Sequence, residues 1–270
     1  MDTYTPAAAG RQAKDSKSLD VAVRLGLVAY GVVHLLIAWL ALQIAFGTSE
    51  GKANSSGAMR QLSDQSYGPL LLWLIAVGFA ALTLWQITEA IWGHVREEGK
   101  KRTFKRASSV GRAIVYASLA YTAVQVAIGD KTSSNSDQMT ARLMDLPFGR
   151  FLVGAVGVAV IAIGAYLVRK AIRRSFEKDL QPAATSGDSG TVVTRLGQAG
   201  YLAKGIALAI IGALFISAAV TYDPKQAGGL DVALKTLLDQ PYGRWLLSLV
   251  ALGIASFGAY CFAWARYAET

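Results

Sequence analysis

Six long apolar runs divide this 270-residue chain and limit the folds that it can adopt. A helix needs about 20 apolar residues, within a range of about 17–25, to cross the hydrocarbon core of a bilayer. The runs occupy residues 25–46, 69–92, 110–128, 151–168, 197–220 and 245–265. Because lipid offers no hydrogen-bond partner to the backbone, runs of this kind cross the membrane as helices. We therefore expect an all-α integral membrane protein with six transmembrane helices.

The composition of the chain agrees with this class. Only 17% of the residues are charged, against about 25% in soluble proteins. The single cysteine, Cys261, lies within the last run and excludes both an intrachain disulfide and a cysteine-based metal cluster. Residues 1–23 are small and polar, so we expect a flexible cytoplasmic tail and an uncleaved first helix that serves as the insertion signal.

A short loop pattern occurs three times, each time just before the second apolar run of a pair. It consists of an aspartate, two further residues, an aromatic residue and a glycine. The copies are formed by Asp64, Tyr67 and Gly68, by Asp145, Phe148 and Gly149, and by Asp239, Tyr242 and Gly243. The repetition predicts three tandem hairpins of two helices each, at residues 24–96, 107–175 and 195–268.

Three tyrosines support the same repeat independently. Tyr30, Tyr116 and Tyr201 each lie early in the first helix of their hairpin. Since every hairpin returns to the side from which it started, the three repeats share one orientation. Parallel repeats of this kind are related by an axis along the membrane normal, which predicts a pseudo-threefold arrangement, either closed around that axis or side by side.

The repeated loop residues have two alternative roles. Each aspartate either accepts hydrogen bonds from backbone N–H groups of its own turn or contributes to a ring of carboxylates that attracts cations. We favour the local role because the spacing to the glycine is constant. Each glycine is expected to end a short surface helix and to permit a sharp turn, and each aromatic residue to anchor at the headgroup level.

The net charge of +9 is unevenly distributed along the chain. Basic residues collect in the connections 94–109 and 169–195, which is typical of cytoplasmic loops and not of a nucleic-acid-binding face. We therefore expect both termini inside the cell, the three repeated loops outside, anionic lipids at the basic connections and no nucleic acid partner.

Three ionisable residues form a candidate polar site inside the membrane: His34, Glu89 and Lys204. His34 follows Arg24 by ten residues, so it lies about 15 Å along the helix, near the middle of the bilayer. Ionisable residues at such depth often mark function. Lys204 could pair with Glu89 or extend its charge to the interface. A proton relay and a haem ligand are alternatives for His34, but we favour a neutral histidine hydrogen-bonded to another helix.

Catalytic patterns are absent from the sequence. It contains no glycine-rich phosphate loop, no metalloprotease helix and no nucleophile elbow. We therefore expect neither an enzyme nor a bound cofactor or metal, but a structural or accessory component of a membrane complex with a possible protein partner. The alternative is a small transporter or channel with a polar path through the helix bundle. A sealed bundle axis favours the first function and a hydrated passage favours the second.

Two further segments, together with the three loop copies, carry a family resemblance. They are RLGLVAYGVVH at residues 24–34 and RLGQAGY at residues 195–201. The chain resembles the domain-of-unknown-function 1206 family, bacterial membrane proteins built from repeated two-helix units. The second repeat departs from the pattern, because Val110 aligns with Arg24 and Arg195. The resemblance implies a multi-pass protein of the bacterial inner (plasma) membrane and implies no particular activity.

Overall fold

The computed structural model describes residues 17–48, 51–93, 98–130, 142–144, 146–223 and 226–268. Among these residues, six helices are long and apolar enough to cross a membrane, which confirms the predicted all-α membrane fold. They are α1 (Lys17–Ala45), α3 (Gly68–Ile91), α4 (Gly99–Ala127), α5 (Gly149–Ile172), α6 (Gly187–Thr221) and α8 (Gly243–Tyr267). Two short helices, α2 (Ser55–Ser63) and α7 (Leu230–Leu238), precede α3 and α8.

The first helix of each repeat is longer than its apolar run. Helix α1 begins at Lys17, within the segment expected to be a tail, and an ion pair between Arg24 and Asp20 at 3.1 Å supports its first turns. Helix α4 begins at Gly99 and α6 at Gly187, so most of the basic segment expected as a loop before residue 110 is helical. Lysine and arginine are good helix formers, which favours the extension of α4 through its basic first turns.

The chain divides into two compact units. The first unit comprises residues 1–30, 59–131 and 264–270, and the second comprises residues 31–58 and 132–263. In the first unit α3 packs along α4, and a Cβ on Gly26 of α1 would overlap the carbonyl oxygen of Gly78 in α3. Such close backbone approach is the usual way in which helices associate in lipid.

An aromatic cluster holds the first unit together. It joins Tyr30 of α1, Phe79 of α3 and Tyr116 of α4, and the rings of the two tyrosines meet edge to face with centroids 5.5 Å apart. Edge-to-face pairs contribute about 0.5–1.5 kcal/mol beyond the area that they bury. Two of the three tyrosines that revealed the repeat therefore share one packing role.

In the second unit α5 packs antiparallel against α6 along a row of glycines. Gly157 faces Gly212, and Gly164 faces Gly205 two helical turns away. A Cβ on Gly164 would lie 2.7 Å from the carbonyl oxygen of Gly205, and a Cβ on Gly205 would lie 2.7 Å from that of Gly164. Both contacts join the second helix of one repeat to the first helix of the next.

Candidate functional site

The three loop glycines form the same turn in all three repeats. Each glycine N–H donates a hydrogen bond of 2.8 Å to a carbonyl three residues earlier, and each glycine begins a long helix. A Cβ on any of them would overlap the carbonyl oxygen of a leucine at the end of the preceding segment. The three pairs are Gly68 with Leu62, Gly149 with Leu143, and Gly243 with Leu238. The glycines are therefore required by close backbone approach.

The aromatic residue before the glycine also shapes the turn in two of the three copies. The left-handed backbone conformation falls on Phe148 (φ 63°) and Tyr242 (φ 62°), the aromatic residues before the glycines, whereas Tyr67 has an ordinary φ of −102°. Each glycine permits the turn, as expected, but it does so at a negative φ by leaving room for the preceding carbonyl oxygen. All three aromatic side chains are exposed, and their anchoring role stays a prediction.

The loop aspartates that the structure describes do not act locally. Asp64 and Asp239 are exposed, and neither carboxylate has a hydrogen-bond partner in the described part of the chain. Asp145 lies outside the described residues. The expected hydrogen bonds to turn N–H groups are thus not seen at two of the three positions, where the carboxylates extend into the surroundings.

A buried aspartate that sequence analysis did not single out forms a firmer connection. Asp231 of α7 accepts a hydrogen bond of 2.9 Å from the N–H of Ala53, in the segment after α1, and pairs with Lys235 at 3.3 Å. Asp231 is 7% exposed and Ala53 is fully buried. The bond links the loop of the first repeat to the short helix of the third, and no side-chain pattern reveals it because the donor is a backbone group.

His34 and Lys204, two of the three candidate intramembrane residues, meet in the second unit. Lys204 Nζ of α6 lies 3.4 Å from His34 Nε2 of α1 and 3.8 Å from the ring centroid of Phe257 in α8. The rings of His34 and Phe257 are 4.9 Å apart. Gly31 packs on Gly258 and brings α1 to α8 beside this site. Three helices thus surround two basic side chains and one aromatic ring.

This arrangement brings two basic side chains together beside an aromatic ring. A lysine ammonium at this distance donates a hydrogen bond to a neutral imidazole nitrogen, and the face of Phe257 stabilises its charge. Nζ and Nε2 both bind protons and are close enough to share a hydrogen bond. Such a pair can hold one positive charge within the membrane and pass a proton between helices.

Glu89 is the third candidate residue. It is half-buried near the end of α3 and belongs to the first unit. The partners seen for Lys204 are His34 and Phe257, and the role of Phe257 was missed because an aromatic residue in an apolar run carries no distinctive signal.

A second polar cluster fixes the segment after α5. Lys170 pairs with Asp179 at 2.7 Å, and Thr194 donates a hydrogen bond of 2.9 Å to Glu177. Between them Phe176 is fully buried against the rings of Tyr201 and Tyr260. This cluster attaches the 3-10 turn Ser175–Asp179 to α5 and α6 and thereby supports the helix that carries Lys204.

Comparisons with known proteins agree with the repeat. The model of the family described as Domain of Unknown Function (DUF1206) matches three times, at residues 25–93, 107–174 and 199–268. The chain is 33% identical over 239 residues to "Uncharacterized protein YxxB" of Bacillus subtilis (strain 168). This match covers 88% of the present chain and 86% of the relative. No solved structure matches the chain significantly.

Proposed function

Because the chain belongs to the DUF1206 family and is a multi-pass integral membrane protein, we propose that it serves as a non-enzymatic component of a larger membrane complex. Its partner is another membrane protein that supplies a transmembrane helix. The observation that carries this proposal is a polar stripe along α4, defined as Ser118, Tyr121, Thr122 and Gln125.

The polar stripe is unusual among the six spans. Helix α4 is the least apolar of them. Ser118 and Tyr121 are exposed, while Thr122 and Gln125 are half-exposed. The stripe covers about 10 Å of helix, about a third of the roughly 30 Å hydrocarbon core. Polar side chains at such positions are used as interhelical contacts, since lipid cannot pair with them.

Some hydrogen-bonding groups of the polar stripe are already paired within α4. Ser118 donates to the carbonyl of Val115 at 2.7 Å, and Thr122 donates to that of Ser118 at 2.8 Å. Gln125 donates to the hydroxyl of Tyr121 at 3.0 Å. These bonds let α4 insert into lipid while oxygen lone pairs remain for a second helix. The stripe is therefore suited to a partner that joins after insertion.

An extraction experiment with a matched control tests this proposal. Ser118→Ala, Thr122→Val and Gln125→Leu together remove the polar groups of the stripe. The control combines Leu74→Ala and Val77→Ala on the exposed apolar face of α3. After mild detergent extraction, the wild type and the control should retain one membrane protein in a fixed ratio, and the stripe variant should lose it. A pure monomer or homo-oligomer from the wild type would contradict the proposal.

The His34–Lys204 contact favours transport as a second candidate function. A proton that moves between Nζ and Nε2 would be one step of a path through the second unit. Reconstituted vesicles should then show a proton flux that His34→Ala and Lys204→Met both abolish. Ser256→Ala on α8 is the control, because among the residues that the structure describes its hydroxyl bonds the carbonyl of Leu252 in its own helix. An unchanged flux in both site variants would discard this path.

The cellular location and the orientation belong to the same proposal. The relative from Bacillus subtilis supports a bacterial plasma membrane. Basic residues crowd the start of α4 and the end of α5, and basic connections remain in the cytoplasm. Both termini are then cytoplasmic and the three loop copies face outside, with anionic lipids drawn to the basic connections.

A further inference from the structure

Helices α5 and α6 leave an open apolar groove on the second unit. Its volume is about 860 Å³, and it extends from Ile161 to Arg173 along α5. The glycine contact between Gly164 and Gly205 forms the floor of the groove. Small side chains such as Ala213 line its side and keep it open. The groove is about 18 Å long, slightly more than half of the roughly 30 Å hydrocarbon core. It therefore matches the depth of one lipid leaflet.

Two arginines stand at one end of this groove. Arg169 and Arg173 both line it, one helical turn apart on α5. Both are exposed, and neither guanidinium has a hydrogen-bond or ion-pair partner among the described residues. The adjacent Lys170 differs, because it is paired with Asp179 at 2.7 Å. The lysine is thus neutralised by a carboxylate, whereas the N–H donors of both guanidinium groups remain available at the groove.

We propose that this groove binds one anionic phospholipid, with an acyl chain between α5 and α6 and the phosphate held by Arg169 and Arg173. Guanidinium groups bind phosphate through paired N–H donors. An acyl chain fits the groove because its lining is almost entirely apolar. The site selects for negative charge at the headgroup and for a chain in the groove, so it requires an intact lipid and not a free phosphate.

The location of the arginines supports a lipid over a soluble anion. They lie in the last turn of α5 and just beyond it, where the helix leaves the apolar region. A helix C-terminus favours cations, which helps to hold the two guanidiniums there. The phosphate layer of a leaflet lies at that level. A lipid already in the bilayer therefore meets the arginines without leaving its own leaflet.

Lipid binding can be measured on the full chain. The purified protein, stripped of lipid in detergent, is titrated with phosphatidylglycerol or with phosphatidylcholine, and bound lipid is counted by native mass spectrometry. Arg169→Gln with Arg173→Gln removes the phosphate contacts. Arg174→Gln with Lys178→Gln is the matched control, because both residues are exposed nearby and neither lines the groove.

The proposal predicts one tight phosphatidylglycerol per chain and no equivalent site for phosphatidylcholine. A basic residue contributes about 1 kcal/mol toward anionic lipid, or about fivefold in affinity, so the Arg169 and Arg173 double variant should bind at least about tenfold more weakly. Equal losses in that variant and in the control would show diffuse attraction to the basic surface and overturn the proposal.

A second variant tests the acyl chain separately. Ala213→Leu fills the groove from an exposed position, so it leaves the packed helix contact intact. It should weaken phosphatidylglycerol binding although no charge has changed. Unchanged binding in this variant would overturn the acyl-chain assignment, and competition by soluble glycerol phosphate would overturn the requirement for an intact lipid.

Discussion

Gly164 and Gly205 touch through their backbones, and each would place a Cβ 2.7 Å from the carbonyl oxygen of the other. This reciprocal contact sets the distance between α5 and α6. It also creates the groove above the two glycines, so packing and the proposed lipid site have the same origin.

The first prediction concerns this glycine contact. Gly164→Ala should destabilise the protein, because the overlap with the facing carbonyl, typically about 1–3 kcal/mol, exceeds the roughly 1 kcal/mol gained in helix propensity. Gly154→Ala on the same helix is the control, since its Cβ would meet only Ala219 Cβ at an ordinary 3.6 Å. Thermal unfolding in detergent should show a lower midpoint for the first variant and an equal or higher one for the second. The reverse order would contradict the packing described.

The second prediction concerns the loop glycines. Gly243→Ala should destabilise α8 strongly, because the added Cβ would overlap the carbonyl oxygen of Leu238 and displace the turn. Gly111→Ala, inside α4, has open space around its Cβ and should leave the stability unchanged or raise it by up to about 1 kcal/mol. Thermal melts of both variants provide the measurement. Equal stability of the two would show that the turn can relax around a methyl group.

The third prediction separates the two kinds of aspartate. Asp231→Ala should cost about 1–3 kcal/mol, because it leaves the buried N–H of Ala53 without an acceptor. Asp231→Asn keeps an acceptor oxygen and should cost less. Asp239→Ala should stay within about 0.5 kcal/mol of wild type, since its carboxylate is exposed. Denaturant titration should rank the three variants by their free energy of unfolding. If Asp239→Ala lowers this free energy as much as Asp231→Ala does, Asp239 has the hydrogen-bonding role in its own turn that the sequence predicts.

The fourth prediction concerns Lys204. Lys204→Met should keep the stability within about 1 kcal/mol of wild type, because a flexible apolar side chain replaces a charge surrounded by α1, α6 and α8. Lys170→Met should lower it, because Asp179 loses its partner and Tyr201 loses the ammonium 4.7 Å from its ring. Unfolding midpoints in detergent compare the two. If Lys204→Met unfolds the protein, the lysine has a structural role and the flux variants need Lys204→Arg instead.

The membrane fold was predictable because each of its signals is local. Apolar runs of sufficient length determine the six crossings, and a repeated aspartate–aromatic–glycine pattern shows the three hairpins even though Val110 breaks the pattern elsewhere. The helix extension at Lys17 was missed because the start of the chain was taken as a polar tail, and the extension at Gly99 was missed because basic residues were assigned to a loop on charge alone. Charge determines sidedness, whereas backbone propensity determines where a helix begins.

The candidate site was predictable only in part. Depth along the helix drew attention to His34 and Lys204, but their contact depends on how α1 and α6 pack, which one sequence does not specify. Phe257 is an aromatic residue within an apolar run, so the sequence does not single it out. The Ala53–Asp231 bond uses a backbone N–H as donor, which no sequence pattern reveals. Long-range polar contacts therefore required the structure.

Labelling of introduced cysteines tests the central claim, three hairpins of one orientation, most directly. The native Cys261 is fully buried and should not react with an impermeant thiol reagent. Cysteines placed at Gln65, Leu146 and Gln240, one in each repeated loop, should all react in intact cells. A cysteine at Lys100 should react only after permeabilisation. If one loop cysteine reacted from the opposite side of the membrane to the other two, the result would contradict the three hairpins of one orientation and the predicted location of the loops outside the cell.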